Sequence, residues 1–175
     1  MNGSAQLAQM PPEKKHQLYK QTPSTRVLTQ SPQLPHVSGE AWPAVWFALA
    51  KHPWHSLVIV PASPSLSSLT TARHLADAAK MFEERPSVLI EAESVAPASV
   101  RDVIASIHDH VAAGARVLIA VGSPIIDYSA IPIARATDTA VLLVKLTETR
   151  GGDANRTIDA VGRSHFLGSI TSSPR

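Results

Sequence analysis

The residues of this chain that could do chemistry are concentrated in two short segments. The first, residues 61–69, reads PASPSLSSL and is followed by Thr70 and Thr71. Hydroxyl groups in front of a helix can bind an anion at its N-terminus, although capping of the helix is their commoner role. The second segment, Glu91-Ala92-Glu93, carries two carboxylates that could hold a metal ion or act as an acid/base pair. A plain turn and a solvated strand end are the simpler interpretations of the two segments.

Residues 61–69 lie where a phosphate-binding loop is expected, between an apolar strand and a helix. Such a loop has the pattern GxxxxGK[ST], in which backbone N–H groups surround the phosphates, the lysine neutralises their charge and the hydroxyl binds Mg²⁺. The segment contains no glycine and no lysine. Its position therefore favours a nucleotide site, while its residues do not supply the chemistry of one.

The remaining polar clusters predict no metal centre and no nucleophile. On a helix, the two histidines of His108-Asp109-His110 project to opposite flanks of the apolar stripe and cannot converge on one ion. His52 and His55 fit a turn between a helix and a strand, and Asp127 is expected to cap the helix that follows it. The chain has no cysteine, which excludes thiolate zinc sites and cysteine nucleophiles. We expect no cofactor.

Charge is divided unevenly along the chain. Residues 1–35 carry four basic side chains against Glu13, a balance of +3, and the remaining residues carry 12 basic and 13 acidic side chains, a balance of −1. The basic character belongs to the N-terminal segment, and no clustered basic face with aromatic residues is found, so we expect no nucleic-acid binding. No secretory signal and no membrane-spanning apolar run is recognised, which predicts a cytoplasmic protein.

Composition predicts one folded domain with two tails. Residues 1–35 are rich in proline, glutamine and serine and are expected to be disordered, because they cannot bury enough apolar surface to offset their ordering entropy. Residues 36–170 are expected to form a single α/β domain, and residues 171–175 a short C-terminal tail.

Apolar periodicity places helices and strands in alternation over residues 36–170. Strands are predicted at 56–60, 88–92, 116–121, 139–146 and 166–170, and helices at 39–51, 70–82, 100–111, 128–136 and 153–161. Strands that read as continuous apolar runs and alternate with helices indicate a doubly wound, mainly parallel sheet covered by helices on both faces. Ligands of such sheets bind beyond the carboxyl ends of the strands, here the loops 61–69, 92–98, 122–128 and 147–152.

Several segments resemble the cytoplasmic kinase domain of bacterial tyrosine autokinases of exopolysaccharide synthesis, relatives of the MinD/ParA deviant-Walker ATPases. The longest similarity runs from Val117 to Ile170 and includes the strand before Gly122-Ser123-Pro124 and the segment that ends at Thr137-Asp138. Gly39-Glu40-Ala41-Trp42 is similar to the family's Glu-Ala-Tyr-Arg helix, which packs between subunits in its rings. The resemblance covers about residues 36–170 and implies a P-loop NTPase-like fold.

The resemblance also implies that the groups needed for nucleotide chemistry are lost. It places the family's functional positions on residues of other types: the Walker A glycines on Ser65 and Ser67, the lysine on Ser68, the Mg²⁺-binding hydroxyl on Leu69 (before Thr70), the acidic motif on Glu91 and Glu93, and the Walker B aspartate on Val121. We likewise expect no counterpart of the family's C-terminal tyrosine cluster, since residues 171–175 read TSSPR. Each electrostatic element of this kind contributes about 2.7–4 kcal/mol or more, so we expect a retained fold and lost catalysis.

These observations predict a non-catalytic pseudokinase or pseudo-ATPase that regulates or assembles exopolysaccharide biosynthesis and export. Its partner is expected to be a membrane chain-length copolymerase, a sister kinase or a glycosyltransferase, bound around Glu40, Trp42 and Trp46, with homo-oligomers as a further expectation. Contact with the inner membrane would then be peripheral and through the partner. Two alternatives stay open: a nucleotide-binding protein or enzyme with a non-standard site, and a MinD/ParA-like partner protein in division or segregation.

Overall fold

A computed structural model describes residues 41–172, so the predicted tail 1–35 and Glu40 lie outside the described residues. Five parallel strands form one sheet in the order β2-β3-β1-β4-β5. The strands are β1 Ser56–Pro61, β2 Ser87–Ala92, β3 Arg116–Val121, β4 Thr139–Lys145 and β5 Phe166–Ser172. The helices are α1 Trp42–Ala50, α2 Leu69–Phe82, α3 Val100–Ala112, α4 Ala130–Arg135 and α5 Gly151–Val161. The predicted doubly wound α/β class is confirmed.

The element bounds differ from the predicted ones mainly at the ends. The fourth helix is shorter than expected, since the turn that begins near Tyr128 becomes helical only at Ala130. The last strand continues two residues past Ile170 because it follows β4 in register as far as Lys145 and Ser172. None of the helices described between residues 41 and 172 is long and apolar enough to cross a membrane.

The centre of the sheet is its most deeply buried part. Every residue of β1 and β3 is buried, as expected for parallel strands covered on both faces. Alternate side chains enter two apolar layers. Leu57 and Ile59 pack with α1 and α2, whereas Val58 and Val60 pack with residues of α3 and α4. The carboxyl ends of the central strands are therefore fixed from both sides.

Trp46 and Trp54 attach α1 to the sheet. Their rings meet edge to face at 5.8 Å, and the indole Nε1 of Trp54 donates to the carbonyl of Leu49 at 2.9 Å. Trp46 is only 1% exposed. It is therefore a core residue in this structure, and the expectation that it forms part of an exposed interface needs correction. Helical spacing placed it on the apolar stripe, and that stripe faces the sheet.

A buried arginine completes this cluster at the amino edge of the sheet. The Arg116 guanidinium lies 4.3 Å from the Trp54 ring centre and 5.4 Å from that of Trp46. It also forms an ion pair with Glu83, at the end of α2. Burial lowers the pKa of Arg116 below its ordinary value, and the attraction of Glu83 opposes that effect. One side chain thus connects β3, α2 and the tryptophan pair.

Asp138 fixes the start of β4 against that of β1. Its Oδ2 accepts the backbone N–H groups of His55 at 2.7 Å and Ser56 at 3.0 Å. In return, the backbone N–H of Asp138 donates to the hydroxyl of Ser56 at 2.9 Å. Burial acts to raise the pKa of Asp138, but the two backbone donors outweigh it and hold the pKa below its usual value.

Removal of the Arg116 charge should destabilise the domain strongly. We expect Arg116→Met to lower the free energy of unfolding by about 3 kcal/mol, because it leaves the largely buried Glu83 without a counter-charge. In the matched double variant Arg116→Met/Glu83→Met both charges are gone, and the free energy of unfolding should return close to the wild-type value. Urea denaturation followed by tryptophan fluorescence measures both. Equal losses in the two variants would contradict the ion-pair argument.

Candidate functional site

The strand order brings three loops together at the carboxyl edge of the sheet. β3 lies between β2 and β1, so the residues after Ala92, Val121 and Pro61 are neighbours. These are the loops in which a doubly wound sheet holds its ligands. Two of the segments singled out by sequence, residues 61–69 and Glu93, meet at this place.

The carboxylate of Glu93 occupies the N-terminus of α2. Its Oε1 accepts the backbone N–H groups of Ser68 at 2.6 Å and Leu69 at 3.1 Å. The hydroxyl of Ser67 donates to the same carboxylate, at 2.9 Å from Oε1 and 3.1 Å from Oε2. A negative group at this point accepts hydrogen bonds from otherwise unpaired N–H groups and meets the positive end of the helix dipole. Glu93 therefore provides the anion that the helix start favours.

Ser68 connects the loop to the end of β3. The residue is fully buried, and its hydroxyl donates to the carbonyl of Val121 at 2.8 Å, with Glu93 Oε1 a further 3.1 Å contact. Ser68 is the position on which the resemblance places the Walker A lysine. In this chain the side chain at that position is a short hydroxyl that binds the protein itself.

The loop backbone follows an ordinary course from β1 to α2. Between residues 41 and 172, positive φ angles occur only at Thr147, Gly114 and Gly162. Residues 61–69 therefore need no glycine. Leu69 packs against the apolar layer that contains α1 and α2, and the hydroxyl oxygens of Ser65 and Ser63 lie 3.2 Å apart. Val121 is fully buried, in the opposite apolar layer.

Glu91 and Glu93 have different partners and do not form a pair. Glu91 binds Arg73 of α2 at 2.7 Å, and both side chains are more than half exposed. Glu93 is partly buried at the helix start. The simpler expectation for this segment, a solvated strand end without a partner, is therefore wrong for Glu93. Its partner lies 25 residues away in sequence, across the end of β3.

Sequence reasoning missed the contribution of Gly122 to this edge. A Cβ atom at Gly122 would lie 2.8 Å from Asp127 Oδ2 and 2.8 Å from the carbonyl oxygen of Glu93. Glycine is therefore needed here for close approach. Asp127 Oδ1 accepts the N–H of Ser129 at 3.0 Å, in the turn ahead of α4, so it does not cap the helix as predicted, and among the described residues Oδ2 is buried without a partner. The carboxylate of Asp127 thus lies close to Gly122, just after β3.

The N–H groups at the start of α2 have an acceptor within the described chain. The N–H groups of Ser68 and Leu69, which could bind a phosphate at the start of α2, already bind the carboxylate of Glu93. Within residues 41–172, no three acidic or histidine side chains converge as metal ligands. The Glu93 carboxylate connects the loop after β1 to the end of β2, and the Ser68 hydroxyl connects that loop to the end of β3.

Solved structures with the same architecture exist. The kinase domain of the Escherichia coli tyrosine kinase ETK superposes with a TM-score of 0.66 and 12% identity, over 77% of this chain and 74% of that one. The chain shares the fold of a bacterial tyrosine kinase domain. The chimerical protein CapA2B2 gives a TM-score of 0.62 and 11% identity, over 75% and 82%. At such identities the likeness establishes the fold. No family model and no curated protein sequence matches the chain.

Loss of the Glu93 carboxylate should cost more stability than loss of its neighbour. We expect Glu93→Ala to lower the free energy of unfolding by about 1–2 kcal/mol, because two N–H groups of α2 lose their acceptor. Glu91→Ala, the matched control, removes an exposed ion pair and should cost less than about 1 kcal/mol. Urea titrations of the two variants and the wild type make the comparison. A smaller effect for Glu93 than for Glu91 would show that the helix contact is unimportant.

Proposed function

We propose that the protein is a non-catalytic pseudokinase or pseudo-ATPase that acts as a regulatory or assembly partner in bacterial exopolysaccharide biosynthesis and export. The fold supports a relation to tyrosine kinase domains. The sequence resemblance to tyrosine autokinases of exopolysaccharide synthesis is the reason for proposing that pathway. The observation that carries the non-catalytic part is the contact between Glu93 and the start of α2.

That contact bears on nucleotide binding through simple electrostatics. A phosphate at the helix N-terminus would have to displace Glu93, because both need the N–H groups of Ser68 and Leu69. If the carboxylate stayed about 4 Å away, each pair of unit charges would repel by about 4 kcal/mol at an effective dielectric constant of 20. No lysine within residues 61–69 offsets that repulsion. Binding and phosphoryl transfer would therefore both be unfavourable.

A surface on α1 and α2 supports the part of the proposal that concerns a protein partner. Phe47 of α1 is 51% exposed, and Phe82 of α2 is 44% exposed, with ring centres 4.8 Å apart. Met81, also on α2, is 73% exposed. Trp42 is partly buried and stacks on His74 at 4.9 Å. Aromatic residues dominate the binding energy of protein interfaces, so we place the partner surface on Trp42, Phe47 and Phe82.

Nucleotide titration tests the non-catalytic proposal. Calorimetry of the wild-type protein with Mg-ATP and with Mg-ADP should give no binding heat up to millimolar concentration, because the helix start already binds its own carboxylate. The Glu93→Ala variant is the informative second sample, since only there are the N–H groups available to an added phosphate. Micromolar affinity in the wild type would overturn the proposal and favour a nucleotide-binding protein with a non-standard site.

Substitution of the exposed aromatic residues tests the partner surface. We expect Phe47→Ser/Phe82→Ser to weaken binding to a co-produced chain-length copolymerase, sister kinase or glycosyltransferase of the same organism about tenfold, a loss typical of interface anchors. Ile126→Ser is the matched control, because Ile126 is 65% exposed but lies in the loop after β3. Surface-based affinity measurements on the purified pair give the ratio. Equal affinities for the two variants would argue against this surface.

A further inference from the structure

The outer strand β2 has an unprotected hydrogen-bonding edge among the described residues. It lies at one end of the sheet and pairs only with β3 over residues 41–172. Its register with β3 is continuous from Ser87 to Ala92, and the first four residues of the strand are each partly exposed. Natural sheets usually protect such an edge with a lysine, a proline or a bulge. The stretch Val88-Leu89-Ile90 contains none of these.

The opposite outer strand shows the protection that β2 lacks. β5 has a register shift opposite Ala140 and Val141, which interrupts its edge. It also carries Gly168, and its C-terminal half is largely serine and threonine. Glycine, bulges and polar residues all weaken further pairing. The two edges of the same sheet therefore differ in their capacity to accept another strand.

The free backbone groups of β2 can be assigned. The carbonyl of Pro86 accepts the N–H of Arg116 at 2.8 Å, so Pro86 turns its backbone toward β3. In a parallel strand this orientation alternates, which turns Val88 and Ile90 toward β3 and directs the N–H and C=O groups of Ser87, Leu89 and Glu91 outward. Three residues at two-residue spacing thus offer donors and acceptors to a new strand.

The groove beside the edge of β2 carries charged side chains whose arrangement complements a second β2 strand that runs in the opposite direction. It has a volume of about 220 Å³ and is lined by Arg73, Ala76, Asp77, Lys80, Ser87 and Leu89. At one end of the groove, the carboxylate of Glu91 forms an ion pair with Arg73. At the other end, the ion pair of Lys80 within residues 41–172 is a 3.5 Å contact with Asp77, and both of these side chains are about two-thirds exposed. Lys80 is thus available to a carboxylate that arrives beside Ser87.

We propose that two copies of this chain associate through antiparallel pairing of their β2 strands, with the two-fold axis at Leu89. In that register Leu89 faces Leu89 of the second copy, and Ser87 faces Glu91 of the second copy. Every outward backbone group of the three residues then gains a partner. Directly opposite side chains lie on the same face of a sheet, so Glu91 of the second copy approaches Lys80. The two five-stranded sheets become one continuous sheet.

A second copy of the chain is favoured over a foreign peptide because the edge is self-complementary. When a second β2 strand runs in the opposite direction, its Glu91 lies opposite Ser87 of the first strand, and the apolar centres of the two strands face each other. The two-fold symmetry also places Glu91 of each copy near Lys80 of the other copy, which gives two identical pairs of opposite charge. The association uses neither the Glu93 contact nor the surface around Phe47, so it does not depend on the proposed function.

Cysteine cross-linking tests this register directly, since the chain has no cysteine of its own. Opposed residues of a hydrogen-bonded antiparallel pair have Cα atoms about 5.5 Å apart, within the range of a disulfide. Mild oxidation of full-length Leu89→Cys should therefore give a covalent dimer on a non-reducing gel. Ser169→Cys on β5 is the matched control and should stay monomeric. A dimer in the control alone, or in neither variant, would overturn the proposal.

Sedimentation of variants that retain the fold supplies the second measurement. Wild-type protein should show a concentration-dependent monomer–dimer equilibrium. Ser87→Pro removes an outward N–H without removing a bond to β3, and it should give a monomer with an unchanged circular dichroism spectrum. Lys80→Glu should raise the dimer Kd about tenfold through two symmetric contacts, whereas Lys51→Glu, with the same charge change outside the groove, should not. A wild-type monomer at all concentrations, or a dimer unaffected by Ser87→Pro, would overturn the proposal.

Discussion

Backbone N–H groups at the start of a helix need acceptors, and the way in which α2 obtains them determines the chemistry of this edge. A phosphate can satisfy such groups, and so can a carboxylate from the same chain. In this protein Glu93 does so, at 2.6 Å from the N–H of Ser68. The contact links the loop after β1 to the end of β2, while Ser68 links both to β3. Two side chains, Glu93 and Ser68, thus join the ends of three strands.

Much of the fold follows from local patterns in the sequence. The apolar runs at Leu57–Val60 and Val117–Val121 predict buried parallel strands because only a sheet covered on both faces buries every residue of a strand. The limits of the short helix α4 were less well predicted, since Tyr128 and Ser129 belong to a turn rather than to the helix. Helix ends depend on hydrogen bonds that residue type alone does not determine.

The site was harder to predict than the fold because it depends on strand order. The sequence shows a carboxylate after one strand and serines after another, but not that β3 lies between them and lets Glu93 reach Ser67. Gly122 gave a weak signal, since a glycine directly after a buried strand often permits a close approach. The misplacement of Trp46 has the opposite origin. Its spacing identified an apolar face correctly, but spacing does not say whether a partner or the protein's own sheet covers that face.

The Glu93 contact also affects how the stability of the domain depends on ligands in solution. A helix start that binds a free ligand is stabilised in proportion to the logarithm of the ligand concentration, so the folded population follows the supply of that ligand. The carboxylate of Glu93, in the loop after β2, is instead present at a fixed, high effective concentration. The loop before α2 is therefore held by a group of the same chain, whose effective concentration does not vary with the supply of a free ligand.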